Sequence, residues 1–162
     1  QGLQPQQGLD ARLIRRARAE GRAITELEGA ERQLRIFADA PLDLQMAMLT
    51  DVLDDIESGE AAREVRRIME ACEQSNIEAL EQLYSELAAR RRPADRYLFR
   101  RLFEERHPAM LDAIERNATG EVRPLVAVGA LHFVGPDGLL AGLRRRGWTV
   151  ERVTMPAPTR VP

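Results

Sequence analysis

The densest cluster of chemically capable residues lies late in the chain, in Gly129-Ala130-Leu131-His132-Phe133-Val134-Gly135-Pro136-Asp137-Gly138. It follows the continuous apolar run Leu125-Val126-Ala127-Val128, of the kind carried by a strand buried on both faces. Ligands of open α/β sheets gather at the carboxyl ends of strands. Gly129 would allow close backbone approach there, and His132 would face the crevice. Gly135 and Gly138 precede an expected helix whose N-terminal amides could meet an anion. The same stretch reads equally well as a strand-to-helix turn that needs glycines, with His132 hydrogen-bonded for structure. A second constellation is Glu26-Leu27-Glu28, whose carboxylates point the same way if the chain is extended. They could join His132 as metal ligands or as acid and base, although Glu26 reads better as a solvated turn residue. The third is Glu104-Glu105-Arg106-His107-Pro108. Arg106 could pair with a buried carboxylate or hold a substrate anion. His107, just ahead of a helix, reads as a cap or surface residue.

Composition narrows the chemistry further. His107 and His132 are the only two histidines in 162 residues, so this chain alone cannot build a histidine-rich metal centre. The single cysteine, Cys72, cannot form an internal bridge and reads as a small apolar core residue rather than a nucleophile. No Walker loop, nucleophile elbow or dinucleotide fingerprint is present. The 24 basic residues, every one an arginine, stand against 26 acidic ones, giving a net charge of −2. That balance lacks the cationic excess a nucleic-acid partner requires. The arginine-rich runs 12–18, 90–92 and 144–146 accordingly read as solvated helix faces. No apolar run approaches the ~18 residues that cross a bilayer. No targeting signal opens the chain, which leaves the compartment unassigned. With 44% hydrophobic residues a sizeable core is expected.

The elements that must position these residues follow from periodicity. Leu9, Leu13, Ile14 and Ala17 recur at helical spacing, with Gly21 where a C-cap belongs. Ala23 to Leu27 reads as a short strand. A helical block fills about 31–117: a stripe of Leu34, Phe37 and Ala38, a broad apolar face from Leu42 to Ile56, a helix over Glu60 to Glu73, and one capped by Ser75-Asn76. Breaks fall at Arg90 to Pro93 and at Pro108. About 124–153 reads as β-α-β, with the helix around Leu139 to Leu143 and a last strand over Trp148 to Val153. The fold class expected is α/β, rich in helix, with a partial and mostly parallel sheet built from the chain ends. Residues 1–155 read as one domain and 156–162 as a flexible tail.

The stretch from Leu125 to Val153 resembles the C-terminal signature of the TraB/GumN family, which is related to the Tiki proteases: an apolar strand, Gly-x-x-His, a Gly-x-x-Gly turn, a leucine-rich helix and a Gly-aromatic entry into a last strand. Leu27-Glu28 and Gln33-Leu34 are similar to the family's Leu-Glu-Thr-x-x-x-Gln-Leu, and Glu105-Arg106 fits the position before a final helix. The resemblance implies a bacterial, metal-dependent, peptidase-like hydrolase acting on a peptide or other small substrate, in the cell envelope or cytoplasm. Carried over residue by residue, it gives His132 and Glu28 as ligands of a divalent metal and Glu28, Arg106 and His132 as catalytic residues, with Gly129, Gly135 and Gly138 as motif glycines. Gly29 departs from the family's usual Thr or Ser, and His107 from its usual Asn. The family's first Gly-x-x-His is absent. With the missing initial Met, the expectation is a C-terminal portion of a longer protein, lacking the N-terminal α/β part and inactive alone. Its sheet would then have an open edge through which a homodimer could form. The competing reading is a non-catalytic binding or assembly protein of the same fold, with haem or a partner in the crevice.

Overall fold

Leucine, alanine, arginine and glutamate dominate the middle of the chain, all strong helix formers. In the computed structural model, which describes residues 5–153, helix is the only regular structure. The α-helices are α1 (Leu9–Ala19), α2 (Ala30–Ala38), α3 (Leu42–Glu57), α4 (Glu60–Glu73), α5 (Ile77–Ala89), α6 (Pro93–Phe99), α7 (His107–Asn117) and α8 (Leu139–Arg145). Their ends follow local chemistry. Gly59 enters α4 in the left-handed region at φ 74°. The Asn76 side chain accepts the Ala79 amide at 3.0 Å to cap α5. Proline stands in the first turn of both α6 and α7.

Between α6 and α7 the chain widens into a π-turn over Arg100–Glu104, where the Glu105 amide donates to the Arg100 carbonyl five residues back at 3.0 Å. Three apolar clusters hold the helices together. In the first, Leu80, Leu83 and Tyr84 of α5 meet Ala71 of α4, Phe103 and Val134. Tyr84, Phe99 and Phe103 stack there with ring centroids 5.1 to 5.5 Å apart. The second joins Met110, Leu111 and Ile114 of α7 to Leu139 of α8, with Leu27, Val126 and Val128 against it. The third packs Met48 of α3 with Ala40 and Ala94. Beside it Arg92 bridges Asp51 and Asp55 of α3 and Asp95 of α6.

The expected α/β class is corrected: no strand and no sheet occur among the described residues. The segments 23–27, 124–129 and 148–153, expected as strands, run without regular structure, and no ladder of backbone hydrogen bonds joins them. A strand exists only with a paired neighbour, and no backbone hydrogen bond pairs any of the three with another among the described residues, although Leu27, Val126 and Val128 share one apolar cluster. Their apolar side chains are spent differently. Val126 and Val128 pack sideways on α7, while Leu125 is 80% and Val153 81% exposed. The homodimer expected through an open sheet edge loses its basis among these residues. The expected tail, 156–162, lies outside the described residues.

Two smaller expectations also change. Cys72 is exposed, whereas its neighbour Ala71 takes the core position. On α2 it is Ile36 that is buried, with Leu34 and Phe37 exposed, and most of the apolar face of α3 is open to solvent. The arginines of 12–18 and 144–146 are exposed, with Arg16, Arg145 and Arg146 paired to carboxylates. The run 90–92 is not a solvated helix face: Arg90 and Arg92 lie half-buried in the break between α5 and α6 and tie it to Glu64, Asp55 and Asp95. No helix among the described residues is long and apolar enough to cross a membrane.

The turn between residues 129 and 138 is shaped by two of its three glycines. Gly135 has φ 84°, and a Cβ there would lie 2.3 Å from the Tyr84 ring. A Cβ on Gly138 would meet the backbone oxygen of Val134 at 2.1 Å, a neighbour that cannot rotate away. At Gly129, with φ −58°, the nearest neighbour of a Cβ would be His132 at an ordinary 3.7 Å. Gly138→Ala should therefore cost about 2 kcal/mol of stability or more. Gly129→Ala should stay within about 0.5 kcal/mol. Urea unfolding of the two variants checks the contrast.

Candidate functional site

The site is assembled by three pieces of chain that are remote in sequence: the approach to α2, the start of α7 and the turn before α8. Glu28 stands immediately before the Gly29 N-cap of α2. Arg106 and His107 are the N-cap and first residue of α7, placed by the π-turn that precedes them. His132 closes a single 3-10 turn, Ala130–His132, whose His132 amide donates to the Gly129 carbonyl at 2.9 Å.

Glu28 and Arg106 form a two-pronged ion pair across 78 residues. Nε of Arg106 donates to one carboxylate oxygen at 2.9 Å and Nη2 donates to the other. The side chains are only 10% and 6% exposed. The remaining guanidinium nitrogen, Nη1, donates to the Leu102 carbonyl at 3.2 Å, and Gln33 Nε2 donates to Glu28 at 3.3 Å. Burial works to raise the Glu28 carboxyl, but hydrogen bonding and charge from Arg106, with smaller help from Gln33 and Arg32, hold it below its ordinary value.

The second half of the site is a pair of imidazoles. His107, 2% exposed, donates from Nδ1 to the Asp137 carbonyl at 2.6 Å. Its Nε2 lies 3.0 Å from Nδ1 of His132, so the two rings share a hydrogen bond. Phe103 flanks both, with centroids 6.1 Å from His107 and 5.2 Å from His132. Burial is the largest reason that His132 titrates far below normal, near 4, and the Arg106 charge and His107 add to it. Burial likewise lowers His107. Both rings are therefore neutral at pH 7.

Of the residues expected from sequence, Glu28 and Arg106 are joined directly, and His132 lies within reach of their charges. Glu26 is exposed and stands apart. Gly135 and Gly138 shape the turn that presents the Asp137 carbonyl. His107 is the residue that sequence reasoning missed. Its partners are a backbone oxygen 30 residues away and a ring 25 residues away, and no local pattern announces either.

As a metal centre these residues fit only in part. No hydrogen bond among the described residues engages Nε2 of His132, and its other nitrogen is held, which is the arrangement of a ligating imidazole. Glu28 does not fit as a ligand while both of its oxygens are bound to Arg106. No group of three or more His, Cys, Asp or Glu among the described residues could hold a metal ion.

Comparison with known proteins adds an independent line. Residues 1–152 match the model of the TraB/PrgY/gumN family. The uncharacterized protein YbaP of Escherichia coli (strain K12) is 31% identical over 147 residues, which cover 88% of this chain and 50% of that protein. YbaP of Shigella flexneri matches to the same extent. The chain thus spans about half the length of the curated relatives it matches. No solved structure matches it.

Removing one partner of a buried ion pair strands the other charge, at a cost of roughly 3 kcal/mol. Arg106→Met should show that loss in urea unfolding, and the double variant E28Q/R106M should lose less than the two single variants summed. Acid sensitivity is the second expectation. A histidine with a depressed pKa takes up its proton more readily unfolded than folded. Stability should thus fall as the pH drops from 6.5, the ordinary value, towards about 4. Depression of Glu28 adds a further loss below 4.5. Unfolding curves across that range, repeated on His132→Gln, should show a shallower fall in the variant between pH 6.5 and 4.5.

Proposed function

The chain belongs to the TraB/PrgY/gumN family, and from that premise we propose that it carries part of the site of a metal-dependent, peptidase-like hydrolase. The observation that carries the reading is the His107–His132 pair: a neutral, partly enclosed imidazole held at Nδ1, with no hydrogen bond at Nε2 among the described residues. His132 is the residue proposed to work directly, as a ligand through Nε2 or as a base. A bound divalent metal would supply Lewis-acid polarisation and an activated water to such a hydrolysis.

Glu28 and Arg106 serve this site first as a brace. Their pair fixes the approach to α2 against the start of α7, and Arg106 lowers the His132 pKa while Glu28 partly offsets it. For Glu28 to act as a ligand or base, or Arg106 to take a substrate carboxylate, the pair has to open, and a carboxylate-bearing substrate competing for the guanidinium is one chemical means of opening it. Because the curated relatives are about twice as long, the activity proposed is that of the whole protein, and donors beyond His132 are expected from outside the described residues.

Thermal unfolding with and without Mn²⁺, Co²⁺ or Zn²⁺ tests the metal half of this reading, since a ligand bound only to the native state raises its stability by mass action. The expected outcome is a rise in melting temperature that disappears in His132→Ala. Hydrolysis of a peptide library by the whole protein should fall at least ~100-fold in the same variant, with its circular dichroism unchanged. Undiminished turnover by His132→Ala would remove His132 from the reaction. A Soret shift on adding haem, without hydrolysis, would replace the reading with a binding protein.

A further inference from the structure

We infer that His107 is a positioning residue that sets the tautomer of His132, leaving the proton on Nδ1 of His132 and the lone pair on Nε2. One carbonyl oxygen fixes the order of the protons. That of Asp137 can only accept, so the His107 nitrogen 2.6 Å away, Nδ1, carries a hydrogen. A neutral imidazole has one such hydrogen, which makes Nε2 of His107 an acceptor. Its partner 3.0 Å away, Nδ1 of His132, must then donate. With the His132 proton committed there, Nε2 is bare, the form in which an imidazole can ligate a metal or accept a proton.

The opposite polarity would need His107 to carry two protons and donate from both nitrogens. Its surroundings disfavour that charge: the ring is 2% exposed, and the Arg106 guanidinium next to it in the chain is itself buried. The carbonyl that starts the relay is also fixed. It belongs to the 135–138 turn, where Gly135 lies against Tyr84 and the Gly138 amide donates to the Gly135 carbonyl at 3.2 Å. Arg145 clasps the same turn from α8, donating to the Pro136 carbonyl at 2.6 Å and pairing with the Asp137 carboxylate at 3.5 Å.

The use made of the bare nitrogen rests on the hydrolase reading, but its existence does not. Long-range ¹H–¹⁵N correlation spectra of the histidine-labelled protein at pH 7 report which nitrogen of each ring is protonated. In the unaltered protein His132 should show a protonated Nδ1 and an unprotonated Nε2. His107→Gln should keep that pattern, because an amide can donate to the Asp137 carbonyl while its oxygen accepts from His132. His107→Leu offers no acceptor, and the His132 proton should move largely to Nε2. A protonated Nε2 in the unaltered protein would overturn the inference, as would an unchanged tautomer in a folded His107→Leu. Should His107→Leu fail to fold, the unaltered protein and His107→Gln still decide the matter. Neither spectrum involves turnover or metal, so the hydrolase reading can fail while this assignment stands.

Discussion

The Glu28–Arg106 pair is the constraint on which the rest of the arrangement depends. The chain before α2 has few other holds on the helical body: α1 buries none of its residues, and the segment between α1 and α2 has no regular structure. Leu27 packs on the α7–α8 cluster, and Glu28 beside it closes on Arg106. Among the described residues, the packing of Leu27 on the α7–α8 cluster and the bidentate pair with Arg106, 78 positions after Glu28, thus fasten this stretch to the helical body. The same guanidinium gives the neighbouring imidazoles their positive surroundings. Arg106 thus takes part both in structural attachment and, beside burial, in lowering the histidine pKa values, so a change there touches both.

Much of the helical part was legible in the sequence, because it is governed by local rules. The cap at Asn76, the prolines opening α6 and α7 and the left-handed Gly59 act within one turn of where they stand. The strands were misread for the complementary reason. An apolar run such as Leu125 to Val128 records that a segment suits a buried extended state; whether a partner lies alongside is decided elsewhere in the polypeptide. Here the run is used as a flank, with Val126 and Val128 on α7 and Leu125 left outside. Period-3.6 patterns mark a face without naming what covers it, which is why α3 could be predicted as a helix with a broad apolar face while most of that face stands exposed.

The site shows the same division. Glu28, Arg106 and His132 were singled out by type and by resemblance, and the first two meet. His107 was passed over, since a histidine beside a helix-opening proline is ordinarily a surface residue. What makes it different is the carbonyl of Asp137, and a backbone oxygen has no sequence signature. The Gly135-Pro136-Asp137-Gly138 turn reads equally as a place for a ligand's anion and as a turn that needs its glycines. Its evident structural work is to aim that oxygen at an imidazole.

The π-turn before α7 gives the site an unusual kind of fragility. Each residue of a helix rotates the chain by about 100°, and the wide turn over Arg100–Glu104 accommodates an additional residue between two regular stretches. Phe99 and Phe103 point into the aromatic cluster, Phe103 also flanks the two imidazoles, and Arg106 and His107 serve the polar site beside it. The length of the stretch therefore acts as a phase setting between hydrophobic packing and chemistry. A change of count there would leave every side chain in place by name and none of the later ones in place by direction.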